Sequence, residues 1–136
     1  MLKTMNKYLL IIVSVLLITV ISIPASAAPS NAELISGRPQ NLPVPGMVTM
    51  VAVGAHECAQ CRTMIPIIES LAQEYQGRAA IAFVDIWKYR DEGNRYEIHS
   101  IPTQIFYDKT GKEQYRHVGF MNQQSIVDKL KELGVK

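Results

Sequence analysis

Met47-Val48-Thr49-Met50-Val51-Ala52-Val53-Gly54-Ala55-His56-Glu57-Cys58-Ala59-Gln60-Cys61 is the stretch on which the fold turns. Met47 to Val53 is a short, mostly apolar run closed by Gly54, which suits a strand buried on both faces. Beyond Cys61, the residues Met64, Ile65, Ile67, Ile68, Leu71, Ala72 and Tyr75 recur at spacings of three and four, and Gly77 stands where a helix stop belongs. The two cysteines therefore lie where a buried strand ends and a helix begins. Pro66 falls inside that helix and predicts a kink, because it removes one backbone hydrogen bond.

Working outward, Ala79 to Ile86 is a second apolar run of strand length. Strand, helix and strand in succession imply a parallel pair joined by a right-handed crossover. Tyr89 to Ile98 is polar and contains Gly93, so it supports only a weak helix. Ile101-Pro102-Thr103 then leads into Gln104-Ile105-Phe106-Tyr107, Asp108 to Gly111 forms a turn, and Lys112 to Val118 makes a polar strand. A four-residue turn between two strands predicts an antiparallel hairpin. Asn122 is positioned to cap a last helix, whose Ile126, Val127, Leu130 and Leu133 share one face. Trp87 and Tyr89 are read as core, and His99 and His117 as structural or surface residues.

The front of the chain is different. Tyr8 to Ile23 is 16 residues without a charge, preceded by Lys3 and Lys7 and followed by Pro24-Ala25-Ser26-Ala27-Ala28. That is the pattern of a signal peptide over residues 1–27, with an N-terminal membrane anchor as the alternative. Residues 28–45 carry Pro29, Pro39, Pro43, Pro45 and Gly37 without periodicity and are read as a tether, leaving a domain at 46–136. An extracytoplasmic location follows, secreted or anchored, with membrane contact only through the N-terminal segment. The whole chain has 14 Lys+Arg against 12 Asp+Glu, and Lys3 and Lys7 account for the excess. A formally neutral remainder gives no support to nucleic-acid binding by bulk charge. Its length allows one core and no second domain.

Cys58 and Cys61 are the only cysteines. Residues three apart in a first helical turn face the same way, close enough to form a disulfide. A helix N-terminus offers unpaired N–H groups and a partial positive charge, both of which stabilise a thiolate. Cys58, at the mouth, is the expected nucleophile, and Cys61, one turn further in, the resolving thiol. Two other readings compete. A structural disulfide would close a loop too short to constrain the unfolded chain much. A copper(I) or zinc site could use Cys58, Cys61 and His56, although a second C-x-x-C or a paired histidine is missing from the sequence. Arg62 after Cys61 does not support covalent haem attachment, and there is no phosphate-binding glycine pattern.

Over Met47 to Gly134 the chain resembles the thioredoxin superfamily. The resemblance is carried by Cys58-Ala59-Gln60-Cys61 after the first core strand, by Pro66 five residues beyond, by Tyr96 to Thr103 with Pro102, and by Val118-Gly119-Phe120 before the last helix. It implies an α/β thioredoxin fold, a central mixed sheet in the order β-α-β-(α)-β-β-α flanked by helices. It also implies a cis Ile101-Pro102 bond, with Pro102 against the cysteines and the Ile101 backbone pairing with an extended substrate. The implied activity is thiol-disulfide exchange, with no cofactor beyond the Cys58–Cys61 disulfide and no metal. The expected role is a reductant of disulfides in exported proteins, re-reduced by a membrane electron donor; a disulfide-donating oxidase or isomerase is the alternative, and a metallochaperone the more distant one. Departures concern tuning: Glu57 stands where thioredoxins have Trp, and Ala59-Gln60 where they have Gly-Pro. Ala52 occupies the place of the family's buried acid, and no substitute base is evident. His56, Glu57, Gln60 and Arg62 are the candidate tuning residues, the acid opposing and the cations favouring a Cys58 thiolate.

Overall fold

A computed structural model describes residues 29–136, so the expected signal or anchor at 1–27 lies outside the described residues. The elements run α1 (Asn31–Leu34), β1 (Thr49–Gly54), α2 (Ala59–Glu74), β2 (Ala80–Asp85), α3 (Arg90–Arg95), β3 (Thr103–Tyr107), β4 (Glu113–Val118) and α4 (Gln123–Glu132). The strands form one sheet in the order β2-β1-β3-β4. β1 and β2 are parallel, β1 and β3 antiparallel, and β3 and β4 an antiparallel hairpin. This is the mixed sheet with flanking helices that the resemblance implies.

Every residue of β1 and β2 is buried, as their unbroken apolar runs demand for strands covered on both faces. The alternation of side chains divides them between two cores. Met50 and Ala52 of β1, Ile81 and Phe83 of β2 and Phe106 of β3 meet Met64, Ile68 and Leu71 of α2 and Ile126 and Leu130 of α4. Val51, Val53, Ala82, Val84 and Ile105 face the other side, against Leu34, Leu42, Val44 and Tyr96. Burying each large aliphatic side chain contributes about 1.5 to 3 kcal/mol, so α2 is held chiefly by its Met64, Ile68 and Leu71 stripe.

Two readings of the sequence differ from this arrangement. The segment taken as a tether packs onto the sheet: Leu34, Leu42 and Val44 are buried, Gly37 bridges to Val84, and Leu42-Pro43 is cis. Its apolar residues are spaced irregularly, so they give no helical or strand period, yet they cover the second face of the sheet. Trp87, read as core, is 52% exposed. It falls just past the end of β2, where the chain turns over the rim, and its backbone N–H, not its ring, is anchored, donating to Asp85 at 3.0 Å.

Candidate active site

Both thiols are free and sit at the carboxyl end of β1, on the edge where open α/β sheets gather their ligands. Cys58 is the N-cap of α2, with extended backbone (φ −75°, ψ 125°) and no side-chain capping hydrogen bond. Its carbonyl accepts from the Arg62 N–H at 3.0 Å. Cys58 is half-buried; Cys61 is only 1% exposed.

Cys61 reaches its depth because β1 ends in glycine. A Cβ on Gly54 would stand 2.9 Å from the Cys61 sulfur and 3.3 Å from the Phe83 ring, closer than carbon and sulfur can sit. The missing side chain is the seat of the resolving sulfur.

The two thiols are strongly unequal. At Cys58 burial pushes the thiol up, but a hydrogen bond from the Cys61 side chain, the backbone N–H groups of Cys61 and Gln60 and the charge of Arg62 bring it below its ordinary value. At Cys61 burial pushes the thiol up to about 12, aided by its hydrogen bond to Cys58 and the negative charges of Cys58 and Asp85. One sulfur is prepared to attack; the other holds its proton.

Asp85, at the end of β2, was not among the residues singled out from sequence. It pairs in register with Gly54, so it lies on the same face of the sheet as Cys61 and is 5% exposed. Its Oδ2 accepts from the His56 backbone N–H at 3.1 Å and lies 2.6 Å from His56 Nδ1; its Oδ1 accepts from the Trp87 and Lys88 N–H groups, each at 3.0 Å. Burial raises this carboxyl, but those hydrogen bonds outweigh it and hold the group below the ordinary carboxylate value. An ionised carboxylate can only accept, so His56 Nδ1 carries a proton toward it and Nε2 is the free ring nitrogen. The His56 ring also stands edge-on to Phe83, centroids 5.0 Å apart. A lone acid closing an otherwise apolar strand was the available signal.

The remaining predicted residues divide. Glu57, Gln60 and Arg62 are exposed at the rim. Ile101-Pro102 is cis, Pro102 is buried and Ile101 half-buried. The Pro102 carbonyl accepts from the Gly119 N–H at 2.7 Å, which ties the proline loop to the turn carrying Val118 and Phe120. Val118 and Phe120, like Trp87, are large apolar side chains about half exposed. His99 is exposed, and His117 in β4 places Nε2 3.1 Å from the Phe120 carbonyl oxygen. Gln104 is a second residue that nothing in its sequence neighbourhood marks. It is fully buried in β3, opposite Ala52.

Comparisons with known proteins identify the family. The thioredoxin family model matches residues 44–132. The thioredoxin of Staphylococcus aureus is 32% identical over 83 residues, 61% of this chain and 79% of that protein. Among solved structures, chloroplastic thioredoxin z is similar with TM-score 0.59 and 25% identity, covering 65% of this chain and 79% of its own. Fasciola hepatica thioredoxin is similar with TM-score 0.57 and 27% identity, covering 65% and 82%. A half-buried thiol at a helix mouth, a buried partner one turn on and a cis-proline beside an apolar rim are thus set in a chain that belongs to the thioredoxin family, as a thiol-disulfide oxidoreductase.

Proposed function

We propose that this protein works outside the cytoplasm as a reductant of disulfides in exported proteins. The observation that carries the chemistry is the inequality of the two thiols, Cys58 lowered at the mouth and Cys61 pushed up to about 12 in the interior. The Cys58 thiolate attacks one sulfur of a client disulfide, forming a mixed disulfide and releasing the other client sulfur as a thiolate that takes up a proton. Cys61 then loses its proton and attacks Cys58, forming the Cys58–Cys61 bond and freeing the second client thiol. Two electrons pass to the client, and a membrane donor supplies two more, with two protons, to restore the Cys58 and Cys61 thiols.

Trp87, Val118 and Phe120 supply the apolar surface on which an extended client lies, with Ile101 offering backbone pairing beside Pro102. His56, fixed by Asp85, tunes the rim together with Glu57, Gln60 and Arg62.

The direction of flow is supported by two features. Between β2 and β3 the only helix is the six-residue α3, so no helical insertion covers the cysteines among the described residues. The residue before Cys61 is Gln60, uncharged, whereas a strong disulfide donor needs its reduced form stabilised by a deeply depressed first thiol. The location rests on the charge-free segment Tyr8 to Ile23 behind Lys3 and Lys7.

Equilibrium titration against a dithiol buffer, with alkylation of the free thiols, tests the direction. A potential near or below about −230 mV supports the reductant; one near about −120 mV makes the disulfide the reactive form and replaces this reading with the oxidase.

A further inference from the structure

Cys61 must give up a proton from a site almost closed to water. Its sulfur already engages Cys58 and the Ala55 backbone and rests on Gly54 and Phe83. The ionisable groups around it are few: Cys58 at the start of α2 and Asp85 from β2 with His56 bonded to it; the one ionisable residue of β3, Tyr107, packs against the core on the other face of the sheet. Asp85 is fully occupied by four hydrogen bonds and stays ionised, so it does not take the proton.

β3 instead brings a neutral polar group. Gln104 is 0% exposed and lies opposite Ala52, which puts it on the same face of the sheet as Ala52, Phe83 and Met64. Its Nε2 donates to the Met64 sulfur at 3.1 Å, and Met64 follows Cys61 by one helical turn. Its Oε1 is buried and makes no hydrogen bond to any described residue. A fully buried carboxamide with an idle oxygen is costly unless something pairs with it. Ala52, beside it, contributes only a methyl group. Across the hairpin the opposing residue is His117, the one titratable group that β4 sets against Gln104.

We propose that Gln104 is a positioning residue for the resolving step, its Oε1 holding one buried water against the Cys61 thiol. The water accepts the Cys61 proton as the sulfur attacks Cys58. The Cys58–Cys61 bond forms, the bond between Cys58 and the client sulfur breaks, and the water's extra proton passes to the departing client thiolate. No charged base is required, because the leaving sulfur is the final acceptor. This inference rests on thiol exchange by Cys58 and Cys61 and not on the direction of electron flow.

A single turnover of the full chain with glutathione disulfide, quenched in acid and read by mass, separates the two steps. The chain has two cysteines, so formation of the glutathione adduct reports attack by Cys58 and its loss reports resolution by Cys61. Gln104→Met keeps the length of the side chain and removes the oxygen. The expected result is a first phase within about twofold of the native rate and a second phase slowed by about tenfold or more. Gln104→Glu keeps the oxygen; its second phase should recover, with an added ionisation in the pH profile that the native protein lacks. A native-like second phase in Gln104→Met would overturn the proposal, as would equal slowing of both phases, which is the mark of a packing role. A Gln104→Glu second phase as slow as that of Gln104→Met would also overturn it. Absence of a second phase in the native protein would overturn the Cys58–Cys61 cycle itself, an outcome distinct from the others.

Discussion

α2 and α4 pack on the same face of the sheet, yet their N-termini are used in opposite ways. α4 begins at Asn122, whose Oδ1 accepts from the Ser125 N–H at 2.9 Å. α2 begins at Cys58, which makes no such bond. A capped terminus satisfies one of the four orphan N–H groups that open every helix and gains about 1 kcal/mol. An uncapped one keeps those donors and the positive end of the helix dipole for another occupant. Here those donors, left without a capping partner, stand beside the Cys58 sulfur, where the Cys61 and Gln60 N–H groups favour its thiolate. A helix start can serve stability or a thiolate, and these two helices divide the roles.

The sharpest way to break that contrast is Cys58→Ser. Reduction of a disulfide substrate should fall to background, because the nucleophile is gone, whereas unfolding in urea should show no loss of stability and a gain of up to about 1 kcal/mol, since serine caps well. Retained turnover would refute the assignment. Asp85→Ala should cost about 2 to 3 kcal/mol by leaving the N–H groups of His56, Trp87 and Lys88 without their acceptor, again read from urea unfolding. Its pH dependence has a definite sign. The folded carboxyl titrates below its unfolded value of about 3.9, so its contribution is complete above that pH and is lost as pH falls through the lower folded value. The variant's stability should therefore decline less steeply in acid than the native protein's.

Gly54→Ala sharpens the comparison from the side of Cys61. The added carbon meets the sulfur at 2.9 Å and should cost about 1 to 3 kcal/mol while slowing disulfide closure more than the first attack. The smallest effect belongs to Asn122→Ala, a loss of about 1 kcal/mol in thermal or urea unfolding with reductase rate unchanged. A change in rate there would mean that the two helix starts are not independent.

Much of this was legible in the order of residues. Apolar runs of strand length, the three-and-four spacing after Cys61 and the Asp108 to Gly111 turn locate β1, α2, β2 and the hairpin, because each depends on neighbours in sequence. Cys58 and Cys61 declare themselves by their spacing and by their place between strand and helix. What escaped reading depends on register between strands. The contact of Asp85 with His56 spans 29 residues and exists only because β2 lies beside β1 in parallel. Gln104 looks like an ordinary strand residue, and only its pairing with Ala52 shows that its amide is buried on the face that α2 covers, against Met64. Trp87 misled for a related reason: hydrophobicity alone does not say whether a residue past a strand end turns inward or lies on the rim.

Gly37 touches this rim from an unexpected side. A Cβ there would come within 2.9 Å of the His56 ring, and its carbonyl accepts from the Asp85 N–H at 2.9 Å beside the bridge to Val84. β2 is the outermost strand on that side, and an open strand margin invites pairing with another chain. The margin is occupied at its carboxyl end by the protein's own Gly37, while the opposite margin, β4, carries Glu113, Gln114, Arg116 and His117. On the proposed role, in which extended disulfide-bearing clients lie along the rim, Gly37 obstructs strand-to-strand pairing of a client with the end of β2.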